Sequence, residues 1–199
     1  MLGVILAGGD SRRMGHDKAD LRWRNRPLWQ RQRDILRFAG ATPVVMVRRP
    51  DQPAPDGIEC WRDTFVQAGP LAGLQTALAH NTAPWVAVLA VDMPGIGADW
   101  FWRLRARCSP GVGAMIRHAA ACEPLAAIYP AEALAEIEAR LRRQEYSLQS
   151  LALALAAQRR MHLVTATPAE CVQARSVNTP REWSHHRAPA RPLAAAFAS

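Results

Sequence analysis

The chain has 199 residues, which suits one domain with a single hydrophobic core and is too short for two ordinary domains with a linker. Hydrophobic residues make up 49% of the chain and charged residues 21%, and this composition excludes a disordered or fibrous protein. The formal net charge of +8 favours an anionic partner, such as a nucleotide, a phosphorylated metabolite, a nucleic acid or an anionic membrane.

The positive charge is carried almost wholly by arginine, because Lys18 is the one lysine among the 25 basic residues. A lysine ammonium is a compact point charge, whereas a guanidinium is a wide planar fork. Lys18 therefore marks a position where a guanidinium would not serve, or else it is a surface lysine that survived by chance.

The sequence contains no signature of a disulfide framework, a zinc site or a membrane span. Four scattered cysteines form no Cys-x-x-Cys pair, so we expect them to be reduced, buried and hydrophobic in role. The longest apolar stretch, 84–91, is much shorter than the roughly 20 residues that cross a bilayer. No basic leader precedes the apolar run 2–7, and we expect a cytoplasmic protein.

Hydrophobic periodicity predicts strands and helices in alternation. The expected elements are, in order, a buried strand at 2–7, a helix at 27–39, a strand at 44–47, a helix at 70–78, a strand at 85–91, a helix at 99–107, strands at 112–117 and 125–129, helices at 134–141 and 148–155, and a strand at 161–164. In the helix at 134–141, Glu136 and Arg140 are spaced for an i,i+4 pair, and we expect its arginines to form a solvated face.

This order predicts an α/β fold with three layers, in which a Rossmann-like, mostly parallel sheet carries helices on both faces. We expect one domain over residues 1–185. The Ala/Pro/Arg-containing segment 186–199 lacks periodicity and is expected to be a disordered tail.

The segment that follows the first strand has the composition of a phosphate-binding loop. Gly8, Gly9 and Gly15 allow close backbone approach, and Arg13 and Lys18 lie in the same segment. The segment lacks Gly-Lys-Ser/Thr and is not a P-loop. We predict a triphosphate cradle, the alternative being a glycine turn with surface arginines.

Asp92 directly follows the most hydrophobic predicted strand. Ligands of open α/β sheets bind at the carboxyl ends of the strands, where a carboxylate beside phosphates suits Mg²⁺. The alternative is an Asx-type turn before Pro94.

Taken in order, several segments resemble the motifs of the molybdenum cofactor guanylyltransferase family. They are 6–18, 26–28, Asp63, 69–73, 92–94, 123–125 and 178–180, and they span roughly the first 185 residues. Where the family carries Asn-x-Asn-Thr-Pro, this chain has Ser176 in place of the first asparagine. The resemblance implies a glycosyltransferase-A-like nucleotidyltransferase fold with a mixed sheet.

The resemblance also implies roles for individual residues. The GTP-binding residues are expected to be Leu6, Ala7, Gly8, Gly9, Gly15, Lys18, Asp63, Pro70, Leu71 and Asp92. Asp92 is the implied Mg²⁺ ligand, and Gly73 and Asn178 are expected to bind molybdopterin. We expect Lys18, Arg13 and Asp92 to be the catalytic residues, with Arg13 on the departing pyrophosphate.

The implied reaction is attack by the terminal phosphate of molybdenum–molybdopterin on the α-phosphorus of GTP, with release of pyrophosphate. Its partners would be the two substrates and, in transient contacts, proteins that deliver or receive the cofactor. A sibling cytidylyltransferase is an alternative, although Ala7-Gly8-Gly9 favours GTP. A basic nucleic-acid-binding protein is a remote alternative, because the arginines are dispersed.

Overall fold

The computed structural model describes residues 1–8, 19, 22–23, 26–63, 65, 68–119 and 121–177. Its strands are β1 (Leu2–Leu6), β2 (Arg22–Trp23), β3 (Arg26–Pro27), β4 (Val44–Arg48), β5 (Cys60–Arg62), β6 (Trp85–Ala90), β7 (Gly113–Arg117), β8 (Cys122–Pro130) and β9 (Met161–Thr165). Its helices are α1 (Leu28–Phe38), α2 (Pro70–Ala79), α3 (Ala98–Arg105), α4 (Ala133–Arg142), α5 (Leu148–Ala157) and α6 (Pro168–Gln173).

Seven of these strands form one mixed sheet in the order β5-β4-β1-β6-β8-β7-β9, and β2 and β3 form a separate antiparallel pair. Strands β5, β4, β1 and β6 are parallel neighbours, β8 runs antiparallel to both β6 and β7, and β9 is parallel to β7. This arrangement confirms the α/β sheet predicted from the sequence and the mixed topology implied by the resemblance.

Helices cover both faces of the sheet because the central strands are apolar on both sides. In β1, Leu2, Val4 and Leu6 pack in the cluster that contains α2, α4 and α5. Ile5 packs in the opposite cluster, with residues of α1 and α3. The continuous apolar run of β1 is therefore the pattern of a strand buried on both faces.

Two glycines mark helix boundaries. Gly40 follows α1 with φ of +85°, a left-handed conformation that favours glycine. Gly69, with φ of +58°, precedes Pro70 at the first position of α2. The first turn ends α1, and the second sets the start of α2 on the carboxyl side of β5.

Some elements differ from the sequence prediction. Strand β8 is longer than predicted, and the pattern did not reveal β5, α6 or the β2–β3 pair. Helix α6 begins with a capping box in which Thr167 and Glu170 bond reciprocally, so a local signal for its start was present.

The predicted solvated arginine face is wrong for Arg140, which is 6% exposed. Its Nε lies 2.8 Å from Glu136 Oε1, and its Nη1 donates to Ser150 Oγ at 2.8 Å. Arg140 thus joins α4 to α5. The buried guanidinium is tolerated here because it is paired with the Glu136 carboxylate and also hydrogen-bonded to Ser150.

The cysteine prediction is correct in oxidation state and wrong in burial. Cys60, Cys108, Cys122 and Cys171 are all free thiols, but only Cys122 is buried, and Cys171 is exposed. Within the part of the chain that the structure describes, no helix is long and apolar enough to cross a membrane. The tail predicted at 186–199 lies outside the described residues.

Candidate functional site

The carboxyl ends of β4, β1 and β6 are tied side by side by backbone hydrogen bonds. Ala7 N donates to Val47 O at 3.0 Å, and Val91 N donates to Leu6 O at 3.0 Å. The segments that follow these three parallel strands therefore all leave the sheet at the same edge. This is the edge where open α/β sheets bind ligands.

Asp63 follows β5 at this edge and carries an incompletely paired carboxylate. Its amide donates to Arg48 O at 2.9 Å, which fixes the backbone beside β4. Its Oδ1 is buried and has no hydrogen-bond partner among the described residues. Burial raises the pKa of Asp63 from 3.8 to about 6, and the nearby charge of Arg49 opposes that rise. A buried acceptor without a partner is costly, so a ligand that donates to Asp63 would be stabilised.

Two glycines lie against this carboxylate. A Cβ atom on Gly8 would lie 3.2 Å from Asp63 Oδ2. A Cβ atom on Gly73 would lie 3.4 Å from Asp63 Oδ1 and 3.0 Å from Leu6 Cδ2. A side chain at Gly8 would press on the carboxylate and one at Gly73 would press on Leu6, so glycine at both positions lets these segments lie close to Asp63.

The structure thus brings together Leu6, Gly8 and Asp63, which were all predicted to hold GTP. It also places Gly73 in this group, whereas the resemblance assigned Gly73 to molybdopterin. Its neighbours are residues of the predicted nucleotide site.

Pro70 and Leu71 begin α2, the helix that carries Gly73. Pro70 is exposed, but the side chain of Leu71 is fully buried in the hydrophobic core. Leu71 can therefore offer only its backbone to a ligand. Ala7, also predicted to hold the nucleotide, is buried and contributes its backbone to the bond with Val47.

Asp92 follows β6 and faces a second carboxylate, Glu123. The antiparallel register pairs Leu89 of β6 with Ala126 of β8. Continued by three residues, the same register brings Asp92 level with Glu123. Burial, together with the smaller effect of the charge of Asp92, raises the pKa of Glu123 from 4.5 to about 7. Two carboxylates facing each other favour a bound cation.

Glu123 is a site residue that the sequence analysis missed. It belongs to the segment 123–125 that contributed to the resemblance, but no role was derived for it. Its proximity to Asp92 depends on an antiparallel pairing between segments about 30 positions apart, which the periodicity did not reveal. The motif itself was the available signal.

His118 and Cys171 extend this side of the site. His118 Nε2 lies 3.8 Å from Glu123 Oε2, and His118 Nδ1 lies 3.4 Å from Cys171 Sγ. The end of β7 and helix α6 therefore meet beside the two carboxylates.

The segment after α6 is joined to the Asp92 turn. Val177 is 1% exposed, and its amide donates to Asp92 O at 2.8 Å. A Cβ atom on Gly95 would lie only 2.4 Å from Gln173 O, so the chain after α6 passes against this turn at close range. Asn178 directly follows Val177 in the sequence.

Several predicted site residues lie outside the described residues, namely Gly9, Arg13, Gly15, Lys18 and Asn178. Their roles stay predictions. Among the residues that the structure does describe, no three His, Cys, Asp or Glu side chains are grouped so that they could hold a metal ion.

The raised pKa of Asp63 predicts a pH-dependent stability of the nucleotide-free protein. The folded state holds a proton on Asp63 up to about pH 6, whereas the unfolded chain releases it near 3.8. Because the folded state then binds more protons, this residue makes the free energy of unfolding fall as the pH rises from 3.8 to about 6. Asp63→Asn should reduce that fall and be more stable than the wild type at pH 7, as measured by urea unfolding.

The exposed Asp56 lies in a turn and serves as the control. Asp56→Asn should keep the wild-type pH profile. An Asp63→Asn profile with the wild-type slope would contradict the assigned burial of this carboxylate.

Residues 3–161 match the family model described as MobA-like NTP transferase domain. A probable molybdenum cofactor guanylyltransferase of Opitutus terrae is 51% identical over 191 residues, covering 94% of this chain and 95% of that protein. The molybdenum cofactor guanylyltransferase of Xanthomonas euvesicatoria is 34% identical over 192 residues, covering 92% of each chain.

Among solved structures, molybdopterin-guanine dinucleotide biosynthesis protein A from Archaeoglobus fulgidus superposes with a TM-score of 0.72 at 22% identity, covering 94% of this chain and 97% of that one. A likeness at this identity concerns the fold alone. The family match and the two relatives carry the conclusion: the chain belongs to the MobA-like NTP transferase family, and specifically to its molybdenum cofactor guanylyltransferases.

Proposed function

We propose that this protein transfers GMP from GTP to the terminal phosphate of molybdenum–molybdopterin, yielding the guanine dinucleotide form of the cofactor and pyrophosphate. The observation that carries the proposal is the buried Asp63 Oδ1 without a partner, beside Gly8 and Gly73 at the ligand-binding edge of the sheet. The relatives named as guanylyltransferases cover nearly the whole chain and support the same activity.

Asp63 is suited to read guanine. The Watson–Crick edge of guanine presents two adjacent donors, N1–H and the N2 amino group, and an ionised carboxylate is purely an acceptor. Cytosine and adenine each present an acceptor nitrogen at this edge, which would meet the carboxylate unfavourably. A base reader of this kind favours GTP over CTP, and no feature of the site favours the cytidylyl alternative.

Asp92 and Glu123 fit a divalent cation, which we propose to be Mg²⁺ held mainly by Asp92. Burial and the charge of Asp92 both raise the pKa of Glu123, and a cation between the two side chains would stabilise the charged form of each carboxylate. Mg²⁺ binds through one or two carboxylates together with phosphate oxygens and water. When bound, it would neutralise charge on the triphosphate. A Mycobacterium tuberculosis protein of this fold, 17% identical, was solved as a manganese complex.

The chain's own residues then have to align two anionic groups. The acceptor phosphate is ionised at neutral pH and needs no general base. One of its oxygens forms the new bond to the α-phosphorus, while the bond from that phosphorus to the pyrophosphate oxygen breaks in line. We assign Lys18 to the α-phosphate and Arg13 to the departing pyrophosphate, with the glycine loop supplying amide donors.

The acceptor is proposed to enter beside Asn178. Val177, which precedes Asn178 in the sequence, donates its amide to Asp92 O, and this bond supports the proposal. Proteins that deliver or receive the cofactor would make transient contacts around this entrance.

Nucleotide competition tests the proposed function. The purified protein is given molybdenum–molybdopterin, Mg²⁺ and either GTP, CTP or ATP, and pyrophosphate release and the dinucleotide product are measured. We expect kcat/KM for GTP to exceed that for CTP by at least roughly 100-fold, because a mismatched base leaves the Asp63 acceptor unpaired. A preference for CTP, or product formation with none of the three nucleotides, would contradict the proposal.

Substitution of the charged groups tests the mechanism. Asp92→Asn and Lys18→Ala should each lower kcat about 100- to 1,000-fold, because each removes charge stabilisation of the transition state. The melting temperature should change little, because these groups act on the substrates. The controls are Asp56→Asn and Arg142→Ala, which alter exposed residues. Normal turnover of GTP by Lys18→Ala would show that its assignment is wrong.

A further inference from the structure

Gln32 is a fully buried polar side chain of α1 that reaches the turn carrying Asp92. It is 0% exposed. Its Nε2 lies 3.0 Å from Met93 O, 3.3 Å from Ala90 O and 3.4 Å from Val91 O. A single side-chain amide therefore donates to three backbone carbonyls on either side of Asp92. Because the amide has only two N–H groups, at least one of them is shared between two carbonyls.

Arg31 fixes the orientation of that amide. Its Nη1 donates to Gln32 Oε1 at 3.0 Å, and its Nη2 donates to Ile96 O at 3.0 Å. With the amide reversed, an oxygen would face three carbonyl oxygens and an NH₂ group would face the guanidinium. Burial lowers the pKa of Arg31 to about 10, which still leaves the guanidinium charged at neutral pH.

Backbone contacts hold the Asp92 turn on its other sides. Val91 N donates to Leu6 O at 3.0 Å, and Val177 N donates to Asp92 O at 2.8 Å. Strand β1, which leads into the nucleotide site, and the segment that leads to Asn178 are thereby linked to the same turn. The amide of Gln32 holds the turn from the α1 side.

We propose that Gln32 is a positioning residue for GMP transfer, acting by holding the Asp92 turn in the geometry that binds the catalytic cation. The inference rests on the proposed function, because it assumes that Asp92 binds a divalent cation beside GTP. Gln32 touches neither substrate nor cation in this role. Groups that orient a metal ligand commonly change metal affinity or activity by 10- to 100-fold when they are removed.

The test compares Gln32→Leu with Gln30→Leu, a control that makes the same substitution on a half-buried residue of α1. GTP affinity is measured by calorimetry in EDTA and in Mn²⁺, and kcat and KM are measured with Mg²⁺. Thermal unfolding reports on the fold. Gln32→Met, which keeps the length of the side chain without its donors, is the second variant.

We expect Gln32→Leu and Gln32→Met to bind GTP in EDTA within about twofold of the wild type, since Asp63, Gly8 and Gly73 are untouched. The gain in GTP affinity that Mn²⁺ gives the wild type should shrink by roughly 10-fold or more, and kcat should fall by roughly 10- to 100-fold. In both variants, KM for GTP measured with Mg²⁺ should rise, because the metal would contribute less to GTP binding. Gln30→Leu should behave as the wild type.

Three results would overturn the inference. Folded Gln32 variants with the wild-type Mn²⁺ gain and kcat would remove the positioning role. Variants that both fail to fold would leave Gln32 with a role in stability alone. A wild type whose GTP affinity does not respond to Mn²⁺ would contradict the proposed cation site, and the inference would fail with it. This outcome can be told apart from a failure of the Gln32 inference alone, because it is seen in the wild type before any substitution is made.

Discussion

The hydrogen bonds at the carboxyl end of β1 hold the functional edge of this protein together. Leu6 O accepts from Val91 N on one side, and Ala7 N donates to Val47 O on the other. Because β1 lies between β4 and β6 in the sheet, these two bonds set the spacing between the Asp63 side and the Asp92 side of the site. The proposed base-reading carboxylate and the proposed cation-binding carboxylate are thus placed on either side of the same strand.

The site is electrostatically incomplete without its ligands. Asp63 and Glu123 both have raised pKa values because they are partly buried without sufficient compensating charge. Such groups lower the stability of the nucleotide-free protein, and the binding of guanine donors and a cation would relieve both. Perturbed carboxylates of this kind cluster at functional sites, where binding and catalysis depend on them.

The sequence predicted the elements that bury continuous apolar runs, such as β1 and β6, because their pattern is local. It did not predict β5, a three-residue strand at the edge of the sheet whose side chains are all half-buried. Arg140 was misjudged for a related reason. The spacing of the sequence predicts its i,i+4 partner Glu136. Its burial comes from packing against α5, and the helical pattern of α4 alone does not predict where α5 lies.

The candidate site divides in the same way. Gly8 and Asp92 could be predicted because a glycine turn or a carboxylate after a buried strand marks the ligand edge, and Asp63 came from the resemblance. Glu123 and Gln32 could not be predicted. Glu123 lies beside Asp92 because of an antiparallel strand register, and Gln32 contacts carbonyl groups that are 58 to 61 positions away in the sequence. Gly73 was predicted to bind molybdopterin, and its closeness to Asp63 was not visible in the sequence because it depends on how α2 packs against the sheet.

Asp63 is proposed to accept hydrogen bonds from both donors of guanine. The most direct measurement compares the binding of GTP with that of inosine triphosphate, which lacks the N2 amino group. Calorimetry at pH 7.5, above the pKa of about 6 for Asp63, should give the wild type at least roughly tenfold tighter binding of GTP, since a hydrogen bond to a charged group contributes about 1.5–3 kcal/mol. In Asp63→Asn, this difference should largely disappear. Equal affinity of the wild type for the two nucleotides would contradict the account.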